Sequence, residues 1–434
     1  MRTVTEHSCR RGQGRHTAAE RVGAIAPGPG RPLLRLLVLA SITVSFLAAS
    51  SAPTPLYATY QAAWGFSALT TTVVFGVYAI AFLAALLTAG RLSDYVGRRP
   101  VLVAGIAGQV LALAVFVDAH SVAALVVARV IQGLATGGSI AAVGVGMLDI
   151  DQARGAVANA TAPGLGTASG ALLSAFAVRW LPAPTQLIYI VLAGVLIVQA
   201  FGVALLPETS TKAPGAWRSL VPQLALPAQT RRPLLAAAPV LFAVWALAGF
   251  YGSLGPALID HLVGSASVID AGLGLGILAG VASLTTYVLR ATPAPAVMLV
   301  GTAALIAGVA AVLLSLWASS PLAFFSGTVI AGVGFGAGFQ GGIRLVAPLA
   351  RPDQRAGVLS VLYIVSYLGL GIPAVAAGFA VARGGGLVAT SYAYGVAVIG
   401  LAGLATLNLI RLRTDDPSRD NREVPHADDR RVRR

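Results

Sequence analysis

Lysine and cysteine are nearly missing from this chain: Lys212 is the one non-arginine among 30 basic residues, and Cys9 is the one cysteine. A lone cysteine excludes an intramolecular disulfide. A lone lysine, set in Ser210-Thr211-Lys212, excludes a G-x-x-x-x-G-K-[ST] phosphate loop. H-E-x-x-H, G-x-S-x-G and C-x-x-C are absent too, so the common zinc-protease, serine-hydrolase and thiol-redox patterns have no foothold. Gly336-Ala337-Gly338-Phe339-Gln340-Gly341 fits G-x-G-x-x-G, but without a preceding strand it carries no implication of a nucleotide. Charge of either sign is scarce, at 11% of residues against 56% apolar. A soluble protein of 434 residues needs more charge than that to cover its surface, so most of this surface must face lipid.

What is abundant agrees. The mean hydropathy is +0.80, and 50 glycines without a G-x-y period suit membrane helices, not collagen. A bilayer core of ~30 Å needs about 20 apolar residues in helix. Runs of that length fall near 36–58, 68–89, 100–117, 121–147, 155–178, 186–206, 233–258, 266–289, 294–317, 321–347, 356–381 and 388–410. Residues 1–32 are polar and arginine-rich, with no apolar h-region, so the first run is expected to be an uncleaved anchor. The expected fold is an all-α membrane protein of twelve transmembrane helices.

The arginines set the expected orientation. With a cytoplasmic amino terminus, 27 of the 30 basic residues fall on inside segments, Arg179 and Arg383 fall outside, and Arg129 lies within a span. The positive-inside rule therefore predicts both termini in the cytoplasm. The same distribution turns a net charge of +14 from a nucleic-acid signal into an affinity for the anionic leaflet, so no nucleic-acid partner is expected. The alanine, glycine and arginine load points to a GC-rich bacterial genome, and hence to a bacterial inner (plasma) membrane.

The expected organisation is a cytoplasmic tail (1–35), a six-helix half (36–207), a cytoplasmic linker (208–232), a second six-helix half (233–411) and a cytoplasmic tail (412–434). The linker holds Pro214, Pro222 and Pro227, with an interfacial segment around Trp217 and Leu220. Two matches relate the halves. Asp151-Gln152-Ala153-Arg154-Gly155 follows the fourth run as Asp353-Gln354-Arg355-Ala356-Gly357 follows the tenth, and Pro55 corresponds to Pro256 at nearly the same offset. Such duplication places a substrate site between two pseudo-symmetric halves near mid-membrane.

The strongest local pattern lies between the second and third runs: Gly90-Arg91-Leu92-Ser93-Asp94-Tyr95-Val96-Gly97-Arg98-Arg99. It reads as a tight basic turn, with glycines for close helix approach and Asp94 placed to accept from backbone N–H groups. This segment resembles the G-x-L-[SA]-D-x-x-G-R-[RK] signature of the major facilitator superfamily (MFS) at every defined position, and the resemblance extends over residues ~36–410. It implies two six-helix bundles and a secondary transporter, not an enzyme, with no cofactor. It further implies a gating role for Gly90, Asp94, Gly97, Arg98 and Arg99, with Asp94 facing the start of the eleventh span near Arg355 and Arg98 reaching Asp149 or Asp151.

Arg129 within the fourth span, followed by Gln132 and Gly133, resembles the family's R-x-x-Q-G motif. A charge within a span costs ~2.5–3.5 kcal/mol or more and should face a cavity or a partner; the alternative is snorkelling to the outer interface. The fifth span, from Gly166 to Ala175, resembles a degenerate form of the family's proton-antiporter motif, with Ala171 in place of proline. Gly272, Gly276 and Gly280 on the eighth span, and Gly334, Gly338 and Gly342 on the tenth, read as close-packing faces.

Further cavity candidates are Tyr78, Asn159, Trp245, Gln340, Tyr363 and Tyr367, alongside Phe75 and Thr161; each could equally be helix glue or an interface anchor. Trp64, Trp180 and Trp317 read as belt residues. No Asp or Glu lies deep within a run, so a proton carrier does not stand out; on the outer side Asp260 with His261 is the best placed, with ordinary loop solvation as the alternative.

These features point to a monomeric secondary active transporter that moves a small solute by alternating access, with protons as coupling ion and efflux of drug-like or amphipathic compounds as the narrower expectation. The rivals are proton-coupled uptake of an organic anion or metabolite, with Arg129 as its ligand, and a non-transporting membrane sensor of the same fold.

Overall fold

The computed structural model describes residues 32–210, 213–264, 268–351 and 354–414. The tail segments 1–31 and 415–434, with Cys9, Lys212 and Asp353, lie outside the described residues. Twelve helices are long and apolar enough to cross a membrane: α1 Pro32–Trp64, α2 Ala68–Ala89, α3 Arg98–Val117, α4 Val122–Ile150, α5 Gln152–Trp180, α6 Pro184–Leu205, α7 Ala228–Ser253, α8 Gly272–Ala291, α9 Ala294–Trp317, α10 Pro321–Leu349, α11 Arg355–Gly385 and α12 Leu387–Leu412. The number expected from the hydrophobic runs is the number observed.

Local chemistry sets the ends. Ser67, Ser121 and Ser320 each accept a backbone N–H of the first turn, from Thr70, Ala124 and Ala323, which satisfies donors that a helix start leaves free. Asp151 does two jobs: it ends α4 and accepts from the Arg154 N–H at 2.9 Å to begin α5. A Cβ at Gly155 would lie 2.6 Å from the Met147 carbonyl carbon, so this turn tolerates only glycine there. Capping and close packing thus account for the first and last residues of the Asp-Gln-Ala-Arg-Gly sequence.

Among the helices whose bounds depart from their hydrophobic runs, two do so around prolines. The first continues to Trp64 through a break at Ala52, because Pro53 and Pro55 interrupt the hydrogen-bond ladder without ending the span. The seventh begins at Ala228, ahead of residue 233, since Pro233 is accommodated inside its first turns. After α7 the chain turns at Leu254 into a short helix, Gly255–Val263, with Pro256 in its first turn. The breaks in α1 and after α7 therefore occupy corresponding places in the two halves.

One apolar core runs through α1–α6 and a second is built chiefly from α7–α12. The halves meet chiefly through two helix pairs, α5 with α8 and α2 with α11. In the first pair a Cβ at Gly272 would overlap Ala175, one at Gly276 would press on Leu172, and one at Gly164 would press on Ser283. In the second, Gly378 packs on Thr72, Gly76 on Val375 and Gly371 on Ala79. Thr54 on α1 adds a bond to the Gly252 carbonyl on α7 at 3.4 Å, an oxygen that Pro256 leaves without a helical donor. These contacts run from mid-membrane to the side opposite the 90–99 loop, so the two halves are sealed together on that opposite face.

Candidate functional site

The turn between α2 and α3 is assembled around backbone geometry. Gly97 has φ +104°, in the region that favours glycine, and a Cβ there would lie 2.7 Å from a Glu208 carboxylate oxygen. With that space open, Glu208 accepts the Arg98 N–H at 2.8 Å and the Arg99 N–H at 3.1 Å, the first free donors of α3. Thr209 and Ser210 N–H groups also bond it. Burial pushes the Glu208 carboxyl up, but its bonds from the backbone N–H groups of Arg98, Arg99, Ser210 and Thr209 outweigh this and hold it below the usual carboxylate range. The helix N-terminus acts as an anion cradle, here filled by a side chain of the linker.

Arg98 lies at the centre of the cluster. Its Nη1 donates to Asp94 Oδ1 at 2.8 Å and Ser93 Oγ at 2.9 Å, and its Nε donates to Asp149 Oδ2 at 3.1 Å. Thr209 Oγ1 donates to the same Asp149 oxygen, and Arg99 donates to the Ala204 carbonyl of α6. A Cβ at Gly90 would run into the Leu86 carbonyl, so this position too needs glycine. Of the two acids expected near Arg98, Asp149 is the one it meets, and Asp151 is committed to capping α5. The expected approach of Asp94 to Arg355 is not seen: among the described residues the Asp94 side chain bonds only Arg98, within its own half. The cause is geometric, since the halves are in contact on the opposite face.

Arg129 is wholly buried, so it does not snorkel. Its Nε and Nη2 donate to Tyr57 Oη at 2.9 and 2.6 Å, and Nη1 donates to the Ser50 carbonyl and to Gln132 Oε1, both at 2.7 Å. Gln132 Nε2 in turn donates to the Ala49 carbonyl at 3.0 Å. Pro53 has no N–H, so the Ala49 oxygen would otherwise be unpaired in the membrane. The break in α1 thus turns the negative end of a helix dipole toward the guanidinium. Four of the five N–H groups of Arg129 are engaged, all with neutral acceptors.

The remaining candidates divide. Tyr78, Trp245 and Tyr367 come together, with Tyr363 packed against them. Arg129 stands 5.3 Å from the Tyr78 ring, Tyr78 lies 6.0 Å from Phe82, and Phe82 stacks on Tyr367 across the two halves at 4.4 Å and 13°. Tyr367 lies 4.9 Å from Trp245, which meets Phe339 edge-on at 5.4 Å. Gln340 instead ties α10 to α8 through the Thr286 carbonyl at 3.1 Å, and Asn159 is exposed beside Gly144 of α4. Thr161 offers its carbonyl to Ser283 of α8. Asp260 and His261 are exposed.

Sequence reasoning did not single out Tyr57, Phe82, Phe339 or Glu208 for the site. Phe82 was within reach, because Tyr78 and Phe82 share the i, i+4 spacing of Tyr363 and Tyr367.

Twelve spans in two packed bundles, joined by small-residue and aromatic contacts, define a polytopic membrane transporter fold. The family model of the Major Facilitator Superfamily matches residues 38–318, and the chain belongs to that superfamily: it is a transporter, not an enzyme. Among solved structures, it is similar to the nucleoside transporter NupG, at 13% identity and a TM-score of 0.65, covering 88% of this chain and 99% of that one. It is also similar to the human organic anion transporter MFSD10, at 18% identity and a TM-score of 0.62, covering 88% of this chain and 100% of that one. At these identities the likeness is one of fold. No curated protein matches the sequence.

Proposed function

We propose that this protein is a gradient-driven carrier that moves a small amphipathic solute between its two halves by alternating access. One observation carries the reading. The halves touch through small residues from mid-membrane to the face opposite the 90–99 loop, with one aromatic stack near the centre, while among the described residues the Asp94 side chain bonds only within its own half. That is the arrangement of a state sealed on one face and released on the other. In the alternate state Asp94 would leave Arg98 for the start of α11, which makes the loop a gate and gives Gly90, Gly97, Arg98 and Arg99 their role in shaping it. Glu208 would hold the loop in register through both states.

The orientation we propose has both termini and the 90–99 loop in the cytoplasm of a bacterial plasma membrane, so the sealed face is external. The functional unit is one chain, since each half supplies the other's counterpart. The narrower proposal is export of drug-like compounds against inward proton flow. No carboxylate lies deep within a span, so proton coupling would have to act through groups at the span ends. A second reading, uptake of an organic anion, is favoured by one observation: Arg129 has only neutral partners among the described residues.

The test is transport in proteoliposomes. A chemically broad solute panel is offered with and without a pH gradient of either sign. Saturable movement of at least one compound supports the carrier reading, and acceleration by the gradient supports coupling. No movement of any compound by folded, correctly inserted protein overturns the reading.

A further inference from the structure

The aromatic residues near the centre of the molecule form one connected row. It leads from Tyr78 and Phe82 in the first half to Tyr367, Trp245 and Phe339 in the second. The closest pair, Phe82 with Tyr367, joins side chains from opposite halves, at 4.4 Å between centroids and only 13° from parallel. Stacked rings of this kind separate cleanly when the helices that carry them part, and each face then seeks another ring. Beside the stack, the Trp245 indole N–H is buried with no acceptor among the described residues. A buried donor without a partner carries a desolvation penalty that an incoming acceptor would relieve.

Charge narrows the choice further. No carboxylate lies deep within a span, whereas the Arg129 guanidinium lies two ring contacts from the stack, over Tyr78 at 5.3 Å. In a low-dielectric interior a fixed cation at that remove favours a monoanion over a neutral solute by about tenfold, and disfavours a monocation by as much.

Building on the carrier reading above, we infer that the solute is a planar aromatic compound, neutral or singly negative. Its ring enters between Phe82 and Tyr367, and an oxygen or ring nitrogen accepts from Trp245 Nε1. Phe82 and Tyr367 set selectivity for flatness, and Trp245 sets selectivity for an acceptor at the ring edge.

The probes are 2-naphthoate, its saturated counterpart decahydro-2-naphthoate, and N-methylquinolinium, each measured for uptake by proteoliposomes. The expected order is naphthoate first, with the saturated acid and the cation each at least about tenfold weaker. Phe82→Leu should erase the preference for the flat acid over the saturated one. Trp245→Phe keeps a ring while removing the donor, and should raise the naphthoate KM about tenfold. Thermal unfolding of both variants controls for damage to the fold. Equal transport of the flat and saturated acids, or an unchanged naphthoate KM in Trp245→Phe, overturns the inference. Carriage of other panel solutes with naphthoate ignored overturns it too, and leaves the carrier reading standing. If no solute of any kind moves, the carrier reading falls and takes the inference with it.

Discussion

Gly272 is the position at which one added carbon should change which way the protein faces. It begins α8 on the sealed side and lies against α5. A Cβ there would overlap the Ala175 methyl and come within 2.7 Å of the Ala171 carbonyl oxygen, whereas ordinary C···O approach is about 3.3 Å or more. Neither neighbour has a flexible end to move aside: one is a methyl group and the other is backbone. In Gly272→Ala the two helices must therefore part by roughly 0.6 Å or more at this level. Overpacking of this kind costs about 1–3 kcal/mol, and the cost falls only on the state in which this face is shut. The equilibrium should shift toward opening of that face by about fivefold to more than a hundredfold. The assay is labelling of a single cysteine at Ser253, which is buried near the same end of α7 with 4% exposure, in a Cys9→Ser background. An impermeant maleimide should react about five times faster or more in Gly272→Ala than in the parent. An unchanged rate in a folded variant would refute the argument that this glycine exists for closure.

Three further outcomes are expected. Arg129→Lys keeps the charge but loses the planar fork; with two of four bonds gone at ~0.6 kcal/mol each, the thermal midpoint should fall by about 1–2 °C, and Arg129→Ala should fall further. Parent-like melting of both would contradict the network with Tyr57 and the Ser50 carbonyl. Glu208 has a lowered pKa in the fold, so its contribution is present above its unfolded value and is lost as pH falls through the folded one. In Glu208→Gln the Arg98 and Arg99 amides should exchange hydrogen about three- to tenfold faster at pH 7, the effect being screened by solvent, and that difference should shrink as the pH falls through the folded pKa of Glu208. Finally, cysteines at Thr185 and Gly385 should react with an impermeant reagent in whole cells, and one at Thr211 should not; the reverse pattern would invert the orientation.

The spans were legible because each is a continuous apolar run, and length alone identifies such a run in a bilayer. The interruption of α1 was visible as Pro53 and Pro55, but its use was not. The partners of Arg129 include a main-chain oxygen that no residue type announces, and Gln132 takes the neighbouring carbonyl that Pro53 leaves free. Glu208 was hidden for the same reason, since its ligands are the backbone N–H groups of α3 and the vacancy beside Gly97. The signature around Asp94 was plain in sequence. Its proposed partner at the start of α11 is not met in this structure, where the halves are in contact on the opposite face. The aromatic row needed the two halves to be placed together, and no spacing along the chain relates Phe82 to Tyr367.

A reversible lock across the sealed face tests alternating access most directly. A Cβ at Gly378 on α11 would lie 2.9 Å from the Thr72 Cβ on α2, so Thr72→Cys with Gly378→Cys, in a Cys9→Ser background, can bridge once the helices ease apart by under about 1 Å. Transport of a carried panel compound is followed in proteoliposomes before oxidation, after it, and after reduction. The account predicts full loss of turnover with the bridge formed and recovery once it is reduced. Undiminished transport with the bridge confirmed by mass spectrometry would contradict it.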